Sequence, residues 1–321
     1  MKLYKNVLLA TSLMCGSVVP AFGAGKTEYV PFGDFNSWTR REIKESAVIG
    51  GKEKCIYEIA PDTVIRGNKP YANLGGSPWA TSNVYAKVAG VVKGSNAVFP
   101  AERSHGDLCA RLCTKMETVE VLHVIDMKVL VGGSIFLGEM SEPVTGTRNP
   151  MEKMDMGMAY SKRPSCVVFD YKLDVPAENV RIKSTGFGSK KVIAGRDSSV
   201  VFVFLQQRRE DAEGNIHAKR VGTAGVHFDS ATGWVNGYRL PIVYGDCSGR
   251  PDMEWLGLRR GEQRYYARNS KGKRVPINED EWGDGSETPT HVILMISSAK
   301  GEPYVGTPGM TLYIDNVGFG L

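Results

Sequence analysis

The strongest constraint on the fold is a period-two alternation of apolar and polar residues that recurs along the chain. In residues 119–131 the odd positions are apolar at six of seven sites, and only His123 interrupts them. Successive side chains of a strand point to opposite faces, so this pattern predicts one long, half-buried strand. Residues 200–205 and 292–296 are wholly apolar. These two runs predict strands that are buried on both faces at the centre of a sheet.

Glycine and proline separate these runs, with 37 glycines and 16 prolines in 321 residues. Only residues 254–268 carry a moderate helical pattern. Many strands joined by turns, without helices between them, exclude a doubly wound α/β fold. The sequence therefore predicts an all-β protein with two packed antiparallel sheets, a sandwich of the jelly-roll kind.

The N-terminal residues have the features of a secretory signal peptide. Lys2 and Lys5 precede an apolar run over residues 7–19, and the small residue Gly23 marks the expected cleavage point. A lipid anchor at Cys15 is the alternative, but no small residue precedes that cysteine. We therefore predict a signal peptide over residues 1–23 and a single exported domain over residues 24–321. Without Cys15 the mature chain keeps five cysteines, an odd number that leaves at least one thiol unpaired within the chain.

Charge and hydropathy exclude several partners. The net charge of +5 falls to +3 once Lys2 and Lys5 are removed, and the basic residues are scattered. This balance gives no support for binding nucleic acid. After the leader, no apolar run reaches the 18 residues of a membrane-spanning helix. Residues 247–290 are rich in charges, among them Glu279, and are predicted to be a polar insertion with a solvated face.

Catalytic signatures are absent from the sequence. It has no Gly-x-Ser-x-Gly elbow, phosphate-binding glycine loop, His-Glu-x-x-His or Cys-x-x-Cys motif. Glycoside hydrolysis needs only two carboxylates about 5 to 9.5 Å apart, which sequence spacing does not reveal. The weak candidates for such a pair are Glu102, Asp107 and Asp246, for which a solvated loop position is the alternative.

Aromatic residues near turn signals are candidates for stacking on sugar rings. Trp79, with Tyr85 nearby, follows a glycine- and proline-containing segment that predicts a loop. Trp234 and Tyr238 would share one strand face, unless the turn signal Asn236-Gly237 breaks that strand. Trp282 is a further candidate in a predicted loop. For each of these aromatics, packing inside the sandwich is the alternative.

Several segments, in order along almost the whole mature chain, resemble one family. They are residues 33–38, 132–138, 149–151, 156–160, 163–172, 241–244, 292–298 and 311–317. The last pair combines an apolar strand ending in Ser-Ser with the run Thr-Leu-Tyr-Ile-Asp-Asn-Val. These segments are similar to the family called the putative carbohydrate metabolism domain.

This resemblance implies a jelly-roll sandwich from glycan-degrading gut bacteria, built like carbohydrate-binding modules and often labelled a glycoside hydrolase. It implies no catalytic residue. It does imply a structural calcium near Asp34, Asn36 and Asp315, and no other cofactor. Asn36 replaces the glutamate usual in the family, which would weaken calcium binding by one charge. Asp315 would share its strand face with Thr311 and Tyr313.

Three functions follow from these observations. The first is an exported glycan-binding sandwich that serves polysaccharide use in a Gram-negative bacterium, located in the periplasm, on the cell surface or outside the cell. Its partner would be an oligo- or polysaccharide, within a surface glycan-utilisation complex. The alternatives are a glycoside hydrolase with a carboxylate pair, and a surface adhesion or assembly protein without a sugar ligand.

The exported protein should begin near Ala24, because Gly23 is the small residue at the expected cut. N-terminal sequencing of the protein recovered after export tests this prediction. A mature chain that starts with a lipid-modified Cys15 would show that the leader is an anchor.

Overall fold

The structure is a computed structural model that describes residues 25–121, 125–186 and 188–321. Its residues are 52% strand and 6% helix, which confirms the predicted all-β class. The helical residues form short 3-10 turns at Ala47–Ile49, Pro150–Lys153, Pro251–Leu256 and Gly261–Gln263. His123 lies outside the described residues.

The strands are numbered in chain order. They are β1 (Thr27–Tyr29), β2 (Trp38–Lys44), β3 (Glu53–Ile59), β4 (Thr63–Arg66), β5 (Trp79–Thr81), β6 (Val84–Val88), β7 (Val91–Ser95), β8 (Val98–Ser104), β9 (Asp107–Cys113), β10 (Lys115–Val121), β11 (Ile125–Val131), β12 (Ser134–Met140), β13 (Met154–Met156), β14 (Met158–Ala159), β15 (Cys166–Asp174), β16 (Ile182–Lys183), β17 (Lys191–Val192), β18 (Ser199–Glu210), β19 (Ile216–Phe228), β20 (Val235–Pro241), β21 (Val243–Tyr244), β22 (Tyr266–Arg268), β23 (Arg274–Trp282), β24 (His291–Ser297), β25 (Val305–Gly306) and β26 (Thr311–Gly320).

Two large sheets form the sandwich. Sheet 1 has the order β20-β15-β26-β9-β8, with β1 paired to β26. Sheet 2 has the order β13-β12-β24-β18-β19-β23-β22, with β5, β14 and β21 paired to its inner strands. Alternate residues of both sheets fill the main core between them, for example Val203 and Leu294 from sheet 2 and Phe169 and Ile314 from sheet 1. Pairing is antiparallel except between β19 and β23 and, in the small sheet β3-β2-β4, between β2 and β4.

The two wholly apolar runs occupy the centre of sheet 2, as predicted. β18 lies between β24 and β19, and β24 lies between β12 and β18. Their second face, which includes Phe202, Phe204 and Met295, packs in a second core cluster. A strand with apolar residues on both faces needs a covering layer on each side.

Residues 247–265 supply much of that second layer, and the strands β22 and β23 that follow extend sheet 2 itself, so residues 247–290 are more than a polar excursion. Met253, Leu256 and Tyr265 are buried against the outer face of sheet 2. Lys271 and Lys273 are solvated, as expected, but Glu279 is buried and forms an ion pair with the buried Arg220. The prediction of a solvated face is therefore wrong at Glu279, because the buried guanidinium of Arg220 on β19 needs a counter-charge from β23.

Residues 119–131 form parts of the hairpin β10–β11, and the predicted single long strand is wrong. Val119 pairs with Met127, and Val121 pairs with Ile125. Odd residues pair with odd residues across this hairpin, so the two strands show the same alternation in sequence as one continuous strand would. The intervening residues 122–124 contain no glycine, proline, asparagine or aspartate, the usual turn signals.

Trp79 and Tyr85 lie inside the protein, which corrects the expectation that they are exposed. Trp79 is 1% exposed, its ring centroid is 5.4 Å from that of Phe35, and its Nε1 donates a 2.9 Å hydrogen bond to the carbonyl of Pro31. The turn signals before it are correct, but residue 79 already begins β5 and faces the core. Tyr85 is 5% exposed in a small cluster with Ile43.

Trp79→Ala should lower the free energy of unfolding by about 3–5 kcal/mol, because it leaves a large cavity in the main core. Chemical denaturation monitored by circular dichroism measures this loss. Val192→Ala, at a side chain that is 72% exposed, should change stability by no more than about 0.5 kcal/mol. A loss below about 1 kcal/mol for Trp79→Ala would contradict the buried position.

Candidate functional site

The outer face of sheet 1 carries the most distinctive group of polar and aromatic side chains. We call it the polar platform and define it by Phe99, Arg103, Arg111, Asp170, Lys172, Trp234, Asn236, Tyr313 and Asp315. The opposite faces of the same strands lie in the main core. Most platform side chains remain half-buried or exposed, whereas the outer face of sheet 2 is covered by residues 247–290. The platform is therefore a surface that a ligand can reach.

Arg103 is the centre of the platform. Its Nη1 donates hydrogen bonds to Asp170 Oδ2 at 2.7 Å and to Asp315 Oδ2 at 2.5 Å. Its Nη2 donates to Asn236 Oδ1 at 2.6 Å. The residue comes from β8, whereas its partners come from β15, β26 and β20. This clamp joins both edges of the sheet across its outer face.

Two β-bulges frame Asp170. β26 has an extra residue opposite the step from Val168 to Asp170, and Asn316 in that bulge has a φ of 51°. β20 has an extra residue opposite the step from Phe169 to Tyr171, where Gly237 has a φ of 63°. Bulges re-aim side chains and are frequent next to functional sites. Here they direct the Asn316 amide and the Gly237 N–H to the Asp170 carboxylate.

The two carboxylates have pKa values shifted in opposite directions. Burial raises the pKa of Asp315 to about 6, although the hydrogen bond from Arg103 acts to lower it. Burial also acts to raise the pKa of Asp170, but hydrogen bonds from Asn316, Gly237 and Arg103 outweigh it and hold that pKa below its ordinary value. Neighbouring carboxylates whose pKa values are shifted in opposite directions are typical of functional sites.

Trp234 lies beside the clamp. The Cζ of Arg103 is 4.4 Å from the centroid of its ring, a cation–π distance, and the ring of Tyr313 meets it edge-on at 6.4 Å. Trp234 is half-buried, so part of the indole stays open to solvent. A cross-strand row continues the platform, with Arg111 next to Tyr313 and its Cζ 4.9 Å from the ring centroid of Phe99.

Trp234 and Tyr238 do not share a face, contrary to the prediction. Tyr238 packs on Phe169 and Phe228 at the main core, whereas Trp234 lies on the outer face. The extra residue of the bulge at Gly237 reverses the parity between them. Trp282 ends β23 and is half-buried against the second core cluster, where its ring centroid is 5.6 Å from the Cζ of Arg220.

The structure does not bring the candidate carboxylates together as a pair. Glu102 is exposed, Asp107 Oδ1 accepts a 3.4 Å hydrogen bond from Asn36, and Asp246 Oδ1 accepts a 2.8 Å hydrogen bond from the N–H of Ser248. No hydrogen bond or ion pair joins the three within the described ranges. The carboxylates that do meet, Asp170 and Asp315, were missed as a pair because their strands are far apart in sequence.

The residues of the predicted calcium site have other partners or lie apart. Asp315 is on the outer face with Tyr313, as expected, but its carboxylate binds the guanidinium of Arg103. Asn36 accepts a 2.7 Å hydrogen bond from the N–H of Leu108, and Asp34 is exposed. In the part of the chain that the structure describes, no group of three acidic, histidine or cysteine side chains has metal-binding geometry. The structural calcium stays a prediction.

Comparison of the chain with known proteins finds only a distant similarity to solved structures. No protein-family model matches the chain, and no curated protein matches it. Among solved structures, a "putative glycoside hydrolase" from Bacteroides thetaiotaomicron VPI-5482 has 15% identity and a TM-score of 0.43, over 84% of this chain and 80% of that one. A "putative glycoside hydrolase" from Bacteroides vulgatus ATCC 8482 has 13% identity and a TM-score of 0.42, over 93% of this chain and 96% of that one. Both TM-scores lie below 0.5, so the fold is assigned from the arrangement of this chain's own sheets.

None of the helices in the described residues is long and apolar enough to span a bilayer.

The carboxyl group of Asp315 should titrate with a midpoint near pH 6, which carboxyl-carbon NMR measures. Because the folded-state pKa exceeds the ordinary value of 3.8, the contribution of this group to stability is complete below pH 3.8 and is lost as the pH rises through about 6. Arg103→Met should raise the pKa of both Asp170 and Asp315, since it removes the cation that favours their ionised forms.

Asp284 is the control for this titration, because the hydroxyl and N–H of Ser286 hold its pKa below the ordinary value far from the clamp. Its pKa should not change in Arg103→Met. An Asp315 midpoint that is the same in the wild type and in Arg103→Met would contradict the clamp.

Proposed function

We propose that this protein is an exported glycan-binding β-sandwich that takes part in polysaccharide use, and that the polar platform is its binding surface. The single observation that carries the proposal is the Arg103 guanidinium, clamped by Asp170, Asp315 and Asn236 beside the half-exposed ring of Trp234. Planar hydrogen-bonding groups next to an aromatic face are what a sugar ring requires, because it has hydroxyls at its edge and C–H groups on its faces.

The clamp keeps hydrogen-bonding capacity for a ligand. An arginine side chain has five N–H donors, and the clamp uses three of them for the contacts to Asp170, Asp315 and Asn236. Asn236 is exposed and uses its Oδ1 in the clamp, which leaves its amide N–H groups to face solvent. The arrangement is also rigid before binding, so little side-chain entropy remains to be lost when a sugar binds.

Stacking on Trp234 supplies the apolar part of the interaction. An indole face that buries on the order of 60 Å² contributes about 1.5 kcal/mol at roughly 25 cal/mol per Å². This corresponds to about tenfold in affinity. One such contact with several hydrogen bonds suits binding in the micromolar to millimolar range, which is adequate when a polysaccharide presents many copies of one unit.

Binding is favoured over hydrolysis by the position of Arg103. In a glycosidase the two carboxyl groups lie on either side of the scissile bond, with the sugar between them. Here the same nitrogen of Arg103 bonds to both carboxylates, so its guanidinium occupies the space between Asp170 and Asp315. The raised pKa of Asp315 is the feature that suits a proton donor, and the experiment below includes that outcome.

The compartment and the family stay part of this proposal. Residues 1–23 have the features of a leader, which supports export. The segments that resemble the putative carbohydrate metabolism domain, in the same order along the chain, support a glycan-binding role. The third function, an adhesion or assembly protein without a sugar ligand, predicts that no glycan is retained.

Trp234→Ala should weaken the retention of the protein by its polysaccharide about tenfold, because the stacking surface is lost. A glycan array with the mature wild-type protein selects the polysaccharide, and affinity gel electrophoresis then measures the retention. Trp282→Ala is the matched control, since it removes a half-buried tryptophan outside the platform and should leave retention unchanged.

Three results would count against this function. Equal retention of wild type and Trp234→Ala would exclude the platform, and failure of every glycan to bind would favour the adhesion or assembly role. Release of reducing sugar by the wild type, abolished in Asp315→Asn, would replace binding with hydrolysis.

A further inference from the structure

A second candidate site lies away from the polar platform. Between the hairpins β6–β7 and β10–β11, one end of sheet 2 and residues 301–305, there is an open cleft with a volume of about 360 Å³. Ligand pockets of proteins start at roughly 300 Å³, and an apolar cavity of about 150 Å³ already admits a benzene molecule. The cleft is therefore large enough for a ligand of moderate size.

The walls of the cleft are mainly aliphatic. Val84 and Val88 line it from one hairpin, Met127 and Val129 from the other, and Met295 from the end of sheet 2. These valines, Met127 and Met295 are only partly or barely exposed. Methionine is flexible and polarizable, and such surfaces adapt to flexible apolar ligands. The alternation that defines β11 in the sequence thus produces one wall of this cleft.

Two polar features of the lining point to a ligand with a charged end. Of the four lining residues that carry a full charge, Lys93, Glu117 and Glu302 have ion-pair partners at 3.4, 2.7 and 2.7 Å. Lys153 also lines the cleft and is half-buried, but its ammonium has no ion-pair or hydrogen-bond partner in the described ranges. The hydroxyl of Ser95, another lining residue, is buried without a partner.

We propose that the cleft binds a single-chain fatty acid, with the alkyl chain along the valine and methionine walls and the carboxylate at Lys153. An alkyl chain carries no hydrogen-bonding groups, so the aliphatic walls leave none of its atoms unsatisfied. A carboxylate gives the ammonium of Lys153 an anion that none of the described residues supplies. This site is separate from the polar platform and does not depend on the glycan-binding function.

A peptide segment fits the cleft less well. Each of its residues would bring an N–H and a C=O that need partners once they are buried, and most of the lining side chains are apolar. A flat aromatic ligand would find few rings to stack on, since the aromatic lining residues are Phe202, Tyr265 and Tyr304. A flexible aliphatic chain has neither difficulty.

Calorimetric titration with laurate and with dodecyltrimethylammonium, both below the concentration at which they form micelles, tests the proposal. Laurate should bind saturably and more tightly than the cation, whose chain is similar and whose charge is opposite. Lys153→Gln should weaken laurate binding roughly fivefold, the size expected for a partly exposed ion pair, and should not weaken binding of the cation. This selective loss of affinity for the anion is a result that a merely destabilised protein would not give.

Val84→Trp should fill the cleft and reduce laurate affinity at least about tenfold, whereas Val192→Trp adds the same indole to an exposed site and should not. The absence of saturable laurate binding, or wild-type affinity in Val84→Trp, would overturn the proposal. So would a dimer in sedimentation experiments that Val84→Trp dissociates while laurate fails to bind, because a second copy would then be the occupant.

Discussion

Burial of both faces of the central strands of sheet 2 is the constraint on which the rest of the structure depends. In β18 the side chains Val201 and Val203 enter the main core, while Phe202 and Phe204 enter the second cluster on the opposite side. Exposure of either row would cost about 1.5–3 kcal/mol for each large side chain. Sheet 1 covers one face, and residues 247–265 cover much of the other. What the sequence presents as a charged excursion therefore supplies two strands of sheet 2, β22 and β23, and a covering segment that Arg220 of β19 contacts through a hydrogen bond to the carbonyl of Leu256.

Both faces of sheet 2 are covered, whereas sheet 1 has one uncovered face, and that face carries the polar platform. The charged side chains of the platform are arranged differently from the buried ion pair of sheet 2. Arg220 and Glu279 are enclosed and serve the packing of the insertion, whereas Arg103 reaches across the surface to Asp170 and Asp315 with donors to spare. The bulges at this point interrupt regular pairing in the middle of a sheet, which costs hydrogen bonds. A sheet needs no such interruption for stability alone, which supports the proposal that a ligand binds on this face.

The platform and the cleft differ in chemistry, and the difference separates their ligands. The platform combines charges and amides with half-exposed rings, which suits a hydroxylated ligand. The cleft has aliphatic walls and the ammonium of Lys153, which has no partner among the described residues, and this suits an apolar chain with an anionic end. A sugar in the cleft would lose hydrogen bonds to water without replacing them, and an alkyl chain on the platform would cover charged groups. The two proposed ligands would therefore not compete for one surface.

The sequence by itself determined the all-β class, the central positions of residues 200–205 and 292–296, and the outward direction of Asp315, because each follows from the two-residue period of a strand. The tertiary structure decided where that period is interrupted. Odd residues of β10 pair with odd residues of β11, and the sequence between them has no turn signal, so no pattern marks where one strand ends and the next begins. The bulge at Gly237 reverses parity, which separates Trp234 from Tyr238. Local sequence patterns do not predict the clamp either, because Arg103 is 67 residues from Asp170 and 212 residues from Asp315. Only the order of the strands in the sheet places these side chains next to one another.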